Sequence, residues 1–260
     1  MDLLSGKKGL VVGVANERSY AWHIAGALLE HGATCAFTHL PGEKHERRAR
    51  RAITQLGVSD PWLKPLDAGS DDEMDAVFGA YAESFDRMDF LIHSIAYAER
   101  EWLVPGKFVE IPRQAFLNAI DISAYSLVGM ARRAKPIMSR TGGSILSMSY
   151  YGSQKVVLGY NVMGVAKACL ECTTRYLASE LGEYGIRVNT ISGGYLRTLS
   201  AAGVGGAEGI GDANHHRAPL RRNVEGGEVG RTAVYLVSDL SSGVTGGNIF
   251  VDCGANTIGI

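Results

Sequence analysis

The chain has no apolar run near the roughly 20 residues that a membrane span needs. Its opening, Met1-Asp2-Leu3-Leu4, holds no cationic, apolar stretch of signal-peptide length. A cytoplasmic chain with no membrane partner is therefore expected. Net charge is also scarce, at −1 over 260 residues. That excludes the broad basic field by which proteins hold nucleic acid or acidic membranes. Cysteine is sparse too: Cys35, Cys169, Cys172 and Cys253. Cys169 and Cys172 form a C-x-x-C inside a helical pattern, with no second Cys or His pair at zinc spacing. Four buried thiols in a reducing compartment are expected there, rather than a redox or metal centre. No His, Asp and Glu grouping has metal-ligand spacing, so no metal is expected. No G-x-S-x-G elbow is present, which removes the usual sign of a serine hydrolase.

What is present is enough apolar residue for one large core: 46% hydrophobic against 20% charged. Short β-branched runs alternate with longer runs of helical period. Strands are predicted over 7–12, 33–38, 62–66, 90–95, 143–148, 186–191 and 248–251. Helices are predicted over 19–31, 42–56, 71–85, 113–138, 159–181 and 224–238. Seven strands alternating with helices imply an α/β fold: a doubly wound, Rossmann-like parallel sheet with helices on both faces. No linker or repeat interrupts the pattern, so residues 1–260 are expected to form a single domain.

In such sheets ligands bind beyond the carboxyl ends of the strands. Gly13, Asp67, Ser94 to Ala96, Ser149 to Tyr150 and Ser192 to Thr198 all follow predicted strands. They converge on one edge by topology alone. Gly13 stands where the first glycine of a G-x-G-x-x-G would, but the rest of that motif is missing. The loop suits either a pyrophosphate cradle or an ordinary turn between strand and helix.

The sharpest pattern lies between the fifth and sixth strands. Tyr160 and Lys167, seven apart on a predicted helix, would share one face and lie about 10 Å apart along its axis. Tyr150 ends the preceding strand. Tyr125 and Tyr176 fall on helical faces and are expected to pack. His93, within an apolar strand, reads as structural. His215 and His216 read as solvent-facing.

Taken together, these residues resemble the short-chain dehydrogenase/reductase superfamily, and specifically its divergent branch of bacterial enoyl-[acyl-carrier-protein] reductases. The likeness is carried by Gly13 with Ser19-Tyr20-Ala21, His93-Ser94-Ile95-Ala96, Asp121-Ile122-Ser123, Ser149-Tyr150, Tyr160-Asn161-Val162-Met163-Gly164-Val165-Ala166-Lys167, Arg187-Val188-Asn189-Thr190-Ile191-Ser192 and Arg197-Thr198-Leu199. Most members of the superfamily place the tyrosine four residues before the lysine. Here that position is Met163, which cannot donate a proton.

The resemblance implies hydride transfer from NADH to the β-carbon of a trans-2-enoyl thioester on acyl carrier protein. It implies Tyr160 at the thioester oxygen, where negative charge develops, and Lys167 at the nicotinamide ribose. Tyr150 would complete the catalytic set. Substrate would also meet Ala96 and Ala98. The implied cofactor set is Gly13, Ala15, Ser19 and Tyr20 at the pyrophosphate, Asp67 and Ala68 at the adenine, and Ser94, Ile95 and Ala96 towards the nicotinamide. Ile191, Leu196 and Thr198 complete it, with Leu40 after the second strand. Neither a base nor an acid immediately follows that strand; Lys44, His45, Arg47 and Arg48 come later. NADH is favoured, with NADPH as the alternative. A carbonyl reductase and a non-catalytic dinucleotide-binding regulator are the competing readings.

Four features depart from the family pattern: Ala96 for a glycine, Tyr195 for a proline, Cys253 for a glycine, and a glycine-rich stretch at 204–211. The segment 199–216 is expected to form a lid over the substrate. By analogy with the family, a homotetramer is expected.

Overall fold

The computed structural model describes residues 2–196, 198 and 215–259. Seven strands make one parallel sheet: β1 (Lys8–Val12), β2 (Thr34–His39), β3 (Leu63–Pro65), β4 (Phe90–His93), β5 (Gly143–Ser149), β6 (Ile186–Gly193) and β7 (Asn248–Val251). Their order is β3-β2-β1-β4-β5-β6-β7. The order reverses between β1 and β4, which opens a crevice at their carboxyl ends.

Seven described helices cover the sheet: α1 (Tyr20–Glu30), α2 (Glu43–Thr54), α3 (Asp71–Ser84), α4 (Arg113–Ile120), α5 (Ser126–Met138), α6 (Val162–Leu181) and α7 (Gly226–Val237). Strand alternation divides the core. Val11, Phe90, Ile92, Leu146 and Ile191 pack with α1 and α7 on one face. Leu10, Val12, Leu91, Ile145 and Val188 pack with α3, α5 and α6 on the other. Burial on both faces explains why the inner strands read as continuous apolar runs. Among the described residues, no helix is long and apolar enough to cross a membrane.

Three sequence expectations need correction. The predicted helix over 113–138 is two helices joined by a π-helical turn, Asp121–Tyr125. Serine hydroxyls compete for backbone groups there. Ser126 Oγ donates to the Ile122 carbonyl at 2.7 Å, and Ser123 Oγ donates to the Tyr97 carbonyl at 3.0 Å. Second, Tyr125 and Tyr176 do not pack within this chain; they are 45% and 70% exposed. Third, only Cys35 and Cys253 are buried. Cys169 is partly so, Cys172 is exposed, and all four are free thiols.

His93 is fully buried, its Nε2 2.7 Å from Ser126 Oγ. His215 and His216 are exposed. The rest of the segment 199–216 lies outside the described residues.

Candidate active site

The loop after β1 is folded by its own polar groups. Asn16 Oδ1 accepts from the Arg18 N–H at 3.0 Å, and the Asn16 carbonyl accepts from Ser19 Oγ at 2.8 Å. Ser19 caps α1, its hydroxyl accepting from the Trp22 N–H at 3.3 Å. Gly13 has φ of +106°. A Cβ there would stand 2.2 Å from the Ser94 carbonyl, so only glycine lets the β1 and β4 loops meet. The result is a helix N-terminus whose remaining N–H groups suit an anion. Tyr20 locks this end to the far side of the crevice, its hydroxyl donating to the Gly194 carbonyl at 2.5 Å.

Across the crevice, Lys167 rises from α6 to the ends of β4 and β5. Its Nζ donates to the Met148 carbonyl at 2.7 Å and to the Ile95 carbonyl at 3.4 Å. An ammonium has three donors, so one N–H remains for a ligand. Burial pulls the Lys167 pKa down to about 8, while the charge of Glu171 acts against that fall.

Tyr160 is not on α6. The helix begins at Val162, and Asn161 before it has φ of 42° and ψ of −119°, which no helix accommodates. The two residues therefore do not share a helical stripe. The turn before the helix carries Tyr160 instead. Asn161 Nδ2 fixes that turn by donating to the carbonyls of Trp102 at 2.7 Å and Val104 at 2.8 Å. Burial, with Glu171 adding to it, raises the Tyr160 pKa above its ordinary value, so the phenol stays protonated. Tyr150 is likewise raised by burial and stands against the Tyr160 ring.

One cavity of about 700 Å³ joins these groups. Tyr160, Lys167 and Tyr150 line it, with Gly13, Ala15, Ser19 and Tyr20 at one end. Ser94, Ile95, Ala96 and Ala98 form a wall, and Leu40, Leu196 and Thr198 also border it. An apolar cluster of Leu103, Ala119, Val162 and Met163, flanked by Ala96, Ala98 and Phe116, backs the Tyr160 side. A polar, anion-ready end and an apolar end suit a dinucleotide beside an acyl chain.

Comparison with known proteins agrees. A family model described as Enoyl-(Acyl carrier protein) reductase matches residues 13–256. A Bacillus cereus relative named as an NADH enoyl-[acyl-carrier-protein] reductase is 48% identical over 259 residues, covering 100% of both chains. The chain belongs to the enoyl-[acyl-carrier-protein] reductase family. Another relative, from Staphylococcus aureus and named as an NADPH enzyme, is 46% identical, with 98% of each chain covered. The solved Bacillus cereus enoyl-acyl carrier protein reductase, described as holding NADP+ and an indole naphthyridinone, superposes with a TM-score of 0.96 at 47% identity, covering 100% of both chains. The Anaplasma phagocytophilum enzyme, described in complex with NAD, gives 0.93 at 42% identity, covering 99% of this chain and 97% of that one.

Within this family frame, three expected cofactor residues are not among those lining the cavity. Asp67 turns back on its own loop: its Oδ1 accepts from the Gly69 N–H at 2.9 Å. Ala68 and Ile191 are 6% and 0% exposed and pack into the two cores, Ile191 from within β6 and Ala68 from the turn after β3. Conversely, Asn16, Tyr97, Arg100 and Leu103 line the cavity and were not singled out in the sequence. Gly193 and Tyr195 also line it, within the stretch from Ser192 to Thr198 that the sequence places at the converging strand ends. Tyr97 and Leu103 sit in an irregular loop with no period to read. Among the described residues, no cluster of His, Cys, Asp and Glu could hold a metal.

Proposed function

We propose that the chain reduces the trans-2 double bond of enoyl thioesters carried on acyl carrier protein, the last reductive step of the fatty-acid elongation cycle. A bound reduced nicotinamide dinucleotide, NADH in preference to NADPH, supplies the hydride for the β-carbon. The glycine cradle at Gly13 and the spare Lys167 donor support its binding here. No base immediately follows β2, since the stretch reads Leu40-Pro41-Gly42, and this favours NADH. The α1 N-terminus would hold its pyrophosphate, and Lys167 its nicotinamide ribose.

Tyr160 donates to the thioester oxygen as negative charge develops there, a donor already fixed before the reaction begins. Its raised pKa keeps the proton on the phenol until the enolate calls for it. Leu103, Met163 and Ala98 line the acyl chain and keep water from the reacting carbons.

One observation carries this reading. Tyr160 and Lys167 enter one cavity, while Met163, at the position of the ketone-reductase tyrosine, is a buried wall residue with no proton to give. The test follows NADH consumption with a crotonyl thioester and with a simple ketone. Enoyl turnover that is lost in Tyr160→Phe is expected. Ketone turnover without enoyl turnover would sink the proposal.

The proposed assembly is a homotetramer acting in the cytoplasm. Leu117, Tyr125 and Tyr176, exposed on α4, the π turn and α6, support the first. Four unpaired thiols support the second. Gel filtration as a monomer would refute the assembly.

A further inference from the structure

One buried charge has no part in the chemistry above. Glu171 stands one turn beyond Lys167 on α6 and is 6% exposed. An interior carboxylate is costly unless hydrogen bonds replace its water. Among the described residues no ion pair includes it. Instead Ser149 Oγ and Ser153 Oγ each donate to its Oε1 at 2.5 Å, and Gln154 Nε2 donates to its Oε2 at 3.4 Å. All three donors belong to one stretch, 149–154, which leaves β5, presents Tyr150 and turns through Tyr151–Ser153. One carboxylate thus ties both ends of the Tyr150 segment to the helix that carries Lys167.

We propose that Glu171 is a positioning residue for the reduction: it clamps 149–154 so that Tyr150 backs the Tyr160 ring, and it sets a carboxylate one helical turn from Lys167. The proposal rests on the enoyl-reductase reading. The other titratable groups around Lys167 come from every side. His93 on β4 is pulled by burial to about 3 and is neutral. Tyr20 at the start of α1, Tyr150 after β5 and Tyr160 before α6 are all raised by burial and keep their protons. Glu171 is the carboxylate that acts on Lys167 and opposes its loss of a proton.

The test is Glu171→Gln in the full chain, which keeps the volume and removes the charge. Crotonyl-thioester kcat is expected to fall about tenfold or more, since small displacements of the reacting groups are expensive. NADH affinity, followed by fluorescence against pH, should lose its alkaline limb about one pH unit earlier than wild type, because an opposite charge has been removed. A mere packing role would not move that limb. Ser153→Ala cuts the clamp but leaves the charge; it should lower kcat and leave the limb in place. Wild-type kcat with an unmoved limb in Glu171→Gln overturns the proposal. If that variant does not fold, wild-type kcat in Ser153→Ala overturns it. A wild-type chain that binds NADH but turns over no enoyl thioester overturns the functional reading instead, and the limb comparison still decides the role of Glu171.

Discussion

Tyr150 and Tyr160 meet edge to face, their ring centroids 5.0 Å apart and their planes inclined at 72°. Such a pair is worth about 0.5–1.5 kcal/mol beyond its buried area, enough to fix one ring against the other. Gly152 makes room for it: a Cβ there would lie 2.7 Å from Tyr160 Cδ1 and 3.2 Å from Tyr150 Cδ1. Gly152→Ala should therefore displace the Tyr160 ring. Steady-state kinetics should show kcat lower by about 10- to 100-fold, with NADH affinity close to wild type.

Tyr160→Phe keeps that packing and removes only the hydroxyl. Loss of one preorganised donor to a developing oxyanion costs about 10²–10³ in kcat. The melting temperature should stay near wild type, which separates lost chemistry from lost fold. Wild-type kcat would remove Tyr160 from the reaction.

Lys167 sets an alkaline limit. Its pKa is lowered to about 8, so the ammonium and its donor to the cofactor are lost as pH rises through 8. NADH affinity should fall over that range, and Lys167→Ala should show weak, pH-independent binding. The stability effect has the opposite sense. Between about 8 and the ordinary lysine value near 10.4, the unfolded chain holds a proton that the folded chain has released. Stability should rise with pH across that window, a slope that denaturant titration of Lys167→Ala would lack.

His93 governs the acid side. Burial holds its pKa at about 3, against about 6.5 when unfolded. Its contribution is complete above about 6.5 and is lost progressively as pH falls towards 3, at up to about 1.4 kcal/mol per pH unit. Chemical denaturation at pH 7.5 and pH 5 should show that slope in wild type and a shallower one in His93→Gln.

Asn161 joins the catalytic turn to the loop over the substrate wall through two carbonyls, those of Trp102 and Val104. Asn161→Ala removes both bonds and places an ordinary side chain at φ of 42°. Asn161→Gly removes the bonds but tolerates that φ. Both should raise KM for the thioester, and the alanine variant should unfold at the lower temperature. Equal melting points would show that the backbone conformation carries no strain.

Local chemistry settles much of this protein. Apolar runs marked the strands most clearly at β1, β2, β4, β5 and β6, which are buried along nearly their whole length, as strands covered on both faces must be. Ser19 announced the start of α1, since a hydroxyl there satisfies a free N–H within the same turn. Gly13 was legible as a cofactor candidate by its place after a strand, and Tyr160 and Lys167 as catalytic candidates by a shared helix face that the structure does not keep; all three line the cavity. The segment 113–138 is helical over its predicted extent, but its π turn, where Ser123 meets Tyr97 across the fold, was not legible.

What only the tertiary structure decided is how these pieces meet. The sequence by itself determined the strands of the sheet and marked Tyr160 and Lys167 as candidates, for each rests on residues close in the chain. It did not place Tyr160 off the helix, nor turn Asp67 towards its own loop. It gave no sign that Glu171 would lie buried beneath Tyr150. The placements of Tyr160 and Glu171 depend on hydrogen bonds between distant segments: Asn161 with Trp102, and Ser149 with Glu171. Periodicity reports which face of an element is buried, but not which partner it will meet there.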